Sequence, residues 1–192
     1  MMKVKGNIKN AGKKPNFWGQ YEKTIPKNIK EMIYNQYYSL DTLYVYCDCS
    51  MQLENNIMSI ACSYIRNGSI IVKSNVIYPP NDCKGKNTYG ELQAVISSLS
   101  NFDKYMNSFT KEIVIYSDID DIIKILNHKV NFKKVSSLMK IQTNLIQLFD
   151  HKRIEHPNLS LSIEYLSNDL KTYNPFAKSA HNAARKIIQQ KI

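Results

Sequence analysis

The sequence predicts an α/β domain built on a five-stranded mixed sheet, three antiparallel strands then two parallel ones, with helices on both faces. Three observations predict it. The stretch Leu43–Ser50, Leu-Tyr-Val-Tyr-Cys-Asp-Cys-Ser, is a near-continuous apolar and aromatic run, the pattern of a central strand covered on both sides. Two further apolar runs flank Asn67-Gly68, the strongest short signal of a β-hairpin. Beyond them strand and helix patterns alternate, which implies crossover connections and parallel pairing.

Residues 1–41 read as a basic N-terminal extension with a short helix, and 42–192 as the α/β domain. Residues 1–16 are rich in Lys, Asn and Gly without a hydrophobic period, as expected of a flexible basic arm. Phe17, Trp18 and Tyr21 follow. Such an aromatic cluster can stack on bases, but more often docks an extension onto a domain, and docking is the reading taken. Ile29, Met32, Ile33 and Tyr37 recur at helical spacing and predict a helix over 26–38.

The first strand is placed at 42–49. Ile57–Arg66 and Ser69–Tyr78 form the hairpin, and Pro79-Pro80-Asn81-Asp82 ends the meander. Thr88 to about Met106 is a helix with Leu92, Val95, Leu99 and Phe102 as its apolar stripe. Glu112–Ser117 is the fourth strand. Asp118 follows it directly, and Asp118 or Asp120 is expected to cap a short helix through Ile122, Ile123 and Leu126. A second amphipathic helix covers about 134–150, with Leu138, Ile141, Leu145 and Leu148 inward. Pro157 breaks the chain, and the alternation over 159–166 marks the fifth strand. Pro175 suits the first turn of the last helix, which carries His181, Ala184 and Ile188 on one face.

The formal net charge is +10, and its distribution says more than its total. Residues 1–40 hold eight Lys and two Glu, giving +6, while residues 171–192 hold five Lys or Arg and no acid, giving +5. The stretch between them therefore sums to −1. A nearly neutral body with two basic ends fits a polyanion partner such as nucleic acid. No apolar run approaches the roughly 20 residues of a membrane span. The basic N-terminus has no hydrophobic region behind it, so no secretory signal is read, and a cytoplasmic protein with no membrane partner is expected. Cys47 and Cys49 share a strand face, but no Cys-x-x-Cys pair or matching His spacing accompanies them. With Cys62 and Cys83 they read as buried free thiols rather than zinc ligands.

Asp48 is the awkward residue of the first strand, since a carboxylate there is costly to bury without a cation or strong donors. Right-handed crossovers put the fourth strand parallel to and beside the first, so Asp48 and Asp118 emerge at the same sheet edge, where open α/β sheets bind ligands. Glu91 lies in the first turn of its helix, a position the helix dipole alone would favour.

Four segments, in order, resemble the ribonuclease H family. Asp48-Cys49-Ser50 resembles its first-strand Asp-Gly-Ser. Asn87-Thr88-Tyr89-Gly90-Glu91-Leu92 resembles the turn leading into its catalytic Glu. Tyr116-Ser117-Asp118 resembles its third acidic motif, and His181-Asn182-Ala183-Ala184-Arg185 its terminal Asp-x-x-Ala-Arg, with His in place of Asp. The resemblance implies a ribonuclease-H-like fold over roughly 42–190 and two-metal phosphodiester hydrolysis. The implied cofactor is a pair of magnesium ions about 3.5–4 Å apart, with manganese as an alternative. Asp48 would bridge both ions, and Glu91 and Asp118 would complete their shells; clustered carboxylates repel strongly without cations. Ser50, Asn87 and Thr88 would contact substrate, Asn87 and Thr88 at polar positions that read a hybrid's minor groove. The other reading of Asn87 and Thr88 is a helix N-cap pair. His181 is expected to be catalytic at the site's edge, assisting product release or the second metal; its alternative is a packed helix histidine.

Departures from the family's pattern carry expectations of their own. Cys49 stands where the family has glycine and is expected to put a side chain where backbone would approach substrate. The family's flexible-loop His has no clear match, Asn168 or Asp169 falling nearest. The work of its basic protrusion would fall to Lys129, Lys133 and Lys134 or to the N-terminal arm. The implied activity is endonucleolytic cleavage of the RNA strand of an RNA–DNA hybrid, leaving a 3′-hydroxyl and a 5′-phosphate. Two alternatives stand beside it: a structure-specific DNA nuclease of the same superfamily, such as a junction resolvase, and a nucleic-acid- or protein-binding module with a degraded site.

Overall fold

The computed structural model of the chain describes residues 14–190, so most of the basic arm read over 1–16 lies outside the described residues. In chain order the elements are α1 (Lys27–Tyr38), β1 (Thr42–Gln52), β2 (Ile57–Arg66), β3 (Ser69–Ile77), α2 (Asn87–Asn101), β4 (Glu112–Ser117), α3 (Ile122–Leu126), α4 (Ser136–Glu155), β5 (Ser160–Tyr165), α5 (Asn168–Tyr173) and α6 (Pro175–Gln189). The sheet order is β3-β2-β1-β4-β5. The first two pairings are antiparallel, while β1–β4 and β4–β5 are parallel. This is the mixed sheet expected from the sequence. The hairpin turns where Asn67-Gly68 places it, with positive φ at both residues (44° and 76°), as a primed turn requires.

Alternation along β1 divides the core between the two faces. Leu43, Val45, Cys47 and Cys49 join Leu92, Val95 and Leu99 of α2 and Leu138, Ile141 and Leu145 of α4. Tyr46 points the other way, to Ile29 and Ile33 of α1 and Phe176 and Ala177 of α6. A fully buried Ile such as Ile33 contributes about 1.5–3 kcal/mol. A buried hydrogen bond also ties α1 to the sheet, Tyr46 Oη donating to Gln36 Oε1 at 2.8 Å. Ahead of α1, Phe17 packs edge-on against Phe176 with ring centroids 5.4 Å apart, and Trp18 Nε1 donates to the Tyr173 carbonyl at 2.7 Å. Phe17 and Trp18 therefore dock this segment onto the sheet's helices, while Tyr21 stays 63% exposed. All four cysteines are buried and free.

The structure differs from the expectations in element bounds and caps: α2 ends at Asn101, followed by a 3-10 turn over Phe102–Tyr105 in place of the helix expected to about Met106, and α4 runs on to Glu155. β1 runs on past Cys49 to Gln52, because Ser50, Met51 and Gln52 still pair with β2. α2 begins at Asn87 after Lys86, with no side chain capping it, so Asn87 and Thr88 are not an N-cap pair. α3 follows Asp121, again without a side-chain cap, so neither Asp118 nor Asp120 serves as one. The helix α5 was not read from the sequence; Ser167 Oγ caps it by accepting from Leu170 N. Pro175 does occupy the first turn of α6, whose end is capped by Asn174 Oδ1 accepting from Phe176 N and Ala177 N. No helix among the described residues is long and apolar enough to cross a membrane.

Candidate active site

The parallel ladder between β1 and β4 ends at the pair Tyr46–Tyr116. Two residues beyond that pair stand Asp48, still within β1 and on the face of Tyr46 by the strand's period of two, and Asp118, just past the end of β4. There β1 continues against β2 alone, with Asp48 opposite Ala61. Glu91 comes from the first turns of α2, which packs on the other face. One carboxylate oxygen from each of Asp48, Glu91 and Asp118 lies within 4.8 Å of the other two.

Asp48 and Glu91 are 7% and 5% exposed. Burial, then the charges of Asp48 and Asp118, push the Glu91 carboxyl up to about 8. Burial also raises Asp48, against the pull of His181. Glu91 Oε2 and Asp118 Oδ1 are buried without a hydrogen-bond partner among the described residues, which is costly for a carboxylate oxygen. An all-oxygen donor set with two orphaned oxygens and mutual repulsion is what a hard divalent cation relieves. The residues present fit such an ion.

Glu91 is held from behind. Cys49 Sγ donates to Asn87 Oδ1 at 3.0 Å, and Asn87 Nδ2 donates to Glu91 Oε1 at 3.0 Å. This corrects the expectation for Cys49. Its side chain is buried against α2, where Gly90 leaves room for it, and takes no space from a substrate. Burial pushes its thiol well above the ordinary range, so it stays protonated and donates. Asn87 is thus a support for Glu91. With Thr88, Glu91, Asp118 and Asp120 it also lines a cleft of about 460 Å³. Ser50 is half-buried, two residues beyond Asp48 and opposite Ser59.

His181 and Lys171 complete the other side. His181 Nδ1 lies 2.8 Å from Asp48 Oδ2, and its side chain is half exposed rather than packed within the helix bundle. It lines a cleft of about 260 Å³ with Asp48, Asp118 and Lys171. Lys171, from α5, is ion-paired to Asp118. Burial works against its charge, but the contact with Asp118 and the nearby Asp48 and Glu91 outweigh this and raise its pKa. Lys171 stands here where the sequence pattern points to Asn168 or Asp169. One signal was present: Lys171 is the sole Lys or Arg between β5 and α6. Lys129, Lys133 and Lys134 are exposed on the connector between α3 and α4.

Solved structures share this architecture. RNase H1 from the halophilic archaeon Halobacterium salinarum NRC-1 matches 78% of this chain and 98% of its own, at 15% identity and a TM-score of 0.54. LC11-RNase H1, in complex with an RNA/DNA hybrid, matches 76% and 99% at 15% identity and 0.51. The N-terminal RNase H domain of rv2228c from Mycobacterium tuberculosis matches 77% and 99% at 14% identity and 0.51. No protein-family model and no curated protein matches the chain. The chain has the ribonuclease-H-like fold. At such identities the likeness is one of fold, and the chemistry is argued from the site.

Proposed function

We propose that this chain is a divalent-metal-dependent endonuclease that cleaves the RNA strand of RNA–DNA hybrids. The observation that carries the reading is the convergence of Asp48, Glu91 and Asp118 where the β1–β4 ladder opens, with two of their oxygens buried and unpaired. In this reading the three carboxylates hold a pair of magnesium ions, which would activate a water and stabilise the leaving oxygen. Asn87 fixes Glu91, and Cys49 fixes Asn87. His181 steadies Asp48 from the cleft, while Lys171 offsets the charge of Asp118 and offers a cation to a phosphate. Residues 42–192 would be the catalytic domain, with 1–41 a basic extension that adds phosphate contacts. The hybrid is favoured as substrate by the Asp48-Cys49-Ser50 motif and by the hybrid bound to LC11-RNase H1.

The test is cleavage of labelled hybrid, double-stranded RNA, duplex DNA and a four-way junction in magnesium or manganese, beside Asp48→Asn. Cleavage of hybrid alone, lost in the variant, is the expected result. Junction cutting would move the assignment to a structure-specific DNA nuclease. Binding without cutting, in either metal, would make the chain a binding module.

A further inference from the structure

We infer that the groove between the N-terminal segment and the start of α6 binds single-stranded nucleic acid leaving the active-site cleft. The ligand class deepens the proposed function and rests on it. The groove holds about 550 Å³ and is walled by Phe17, Trp18 and Tyr173, with Tyr21 beside them. Thr172 and Lys178 line both this groove and the cleft that holds Asp48, Asp118 and His181. A strand passing the carboxylates therefore meets the groove across those two side chains.

Charge and chemistry choose the occupant. Among the described residues no acid lines the groove and Lys178 is its cation, while the sequence over 171–190 adds Lys171, Arg185 and Lys186 with no Asp or Glu. Ser179, Asn182 and Thr24 add hydrogen-bonding groups beside the aromatic faces. Aromatic rings beside a cation suit a sugar–phosphate chain whose bases are free to stack. In a duplex the bases already stack on one another, so only an unpaired base can lie on a protein ring. The platform is set in advance: Trp18 is held by its bond to Tyr173 and by edge contacts to Phe17 and Tyr34. Docking accounts for Phe17 and Trp18. It does not account for Tyr21, a residue left 63% exposed in the same groove.

Fluorescence anisotropy of a labelled oligothymidylate, in EDTA so that nothing is cleaved, reads the groove directly. Wild type should bind, Tyr21→Ala should bind about fivefold more weakly or worse, and Tyr21→Phe, which keeps the ring, should bind as wild type does. On hybrids carrying a single-stranded overhang, Tyr21→Ala should lose the same factor, while on blunt hybrid it should match wild type. No oligothymidylate binding by wild type, or equal binding by Tyr21→Ala, overturns the inference. Cleavage of blunt hybrid by wild type reports on the proposed function alone, so the two failures are distinguishable.

Discussion

A Cβ added at Gly90 would lie 2.7 Å from Cys49 Sγ and 3.2 Å from Met58 Sδ, so α2 can sit this close to β1 only without a side chain there. Gly90→Ala gains about 1 kcal/mol of helix propensity but overpacks a filled contact, which costs about 1–3 kcal/mol. The expected outcome in urea denaturation is a net loss of about 1 kcal/mol, partly recovered when Cys49→Ala is added. Additive effects of the two changes would mean that the contact is not what fixes this approach. Glu91 supplies the pH prediction. It ionises near 4.5 in an unfolded chain but near 8 in the folded one, from burial first and Asp48 and Asp118 second. Between those values the folded chain binds the extra proton, so metal-free stability is full below the lower pKa and falls as pH rises through the higher one. Asp48 shifts in the same direction. In EDTA at about pH 9, Glu91→Gln should melt roughly 5 °C above wild type, and near it at about pH 5. Added manganese should raise the wild-type midpoint and leave that of Glu91→Gln nearly unchanged.

Among the elements, α5 matters beyond its six residues, because it carries Lys171 to Asp118. An ammonium beside a carboxylate that also faces a divalent ion lowers the affinity for that ion through ordinary charge repulsion. Lys171 is about half exposed, so solvent screens the effect. Lys171→Met should therefore tighten manganese binding about tenfold by calorimetry, while hybrid cleavage slows. Unchanged metal affinity would reduce the pair to a surface contact. The elements that sequence reasoning located are those with strong local grammar: the strands around Asn67-Gly68, the stripe of Leu92, Val95 and Leu99, and Pro175 opening α6. The three carboxylates were legible because each sits at the end of such a unit. α5 was not, since Asn-Asp-Leu-Lys-Thr-Tyr has a single aliphatic residue and no period. The setting of Cys49 was equally hidden, because it depends on Gly90, a contact made only after α2 folds onto β1. The extension of β1 past Asp48 depends on pairing with Ile57, Met58 and Ser59, which no local pattern in Ser50-Met51-Gln52 announces.

For the molecule as a whole, the charge distribution makes a prediction independent of the catalytic residues. Each phosphate neutralised by a Lys or Arg releases counterions, so the logarithm of affinity falls with the logarithm of salt by about 0.9 per contact on a duplex. Lys171, Lys178, Arg185 and Lys186 lie at or C-terminal to the site in sequence, while Lys3, Lys5, Lys9 and Lys13 precede the described residues. If both basic ends contact a bound hybrid, deleting residues 1–13 should make the slope shallower by about 2 to 4, weakening binding most at low salt. Asp48→Asn should leave the slope nearly as it was, because it alters chemistry and not the phosphate contacts. Anisotropy across a salt series separates the two effects without any cleavage being measured. A slope unchanged by the deletion would confine the phosphate contacts to the domain and leave the arm's four lysines a role in solubility alone. Affinity lost equally at every salt concentration would mean instead that the deletion had disturbed the docking of Phe17 and Trp18, because a packing contact carries no counterion term.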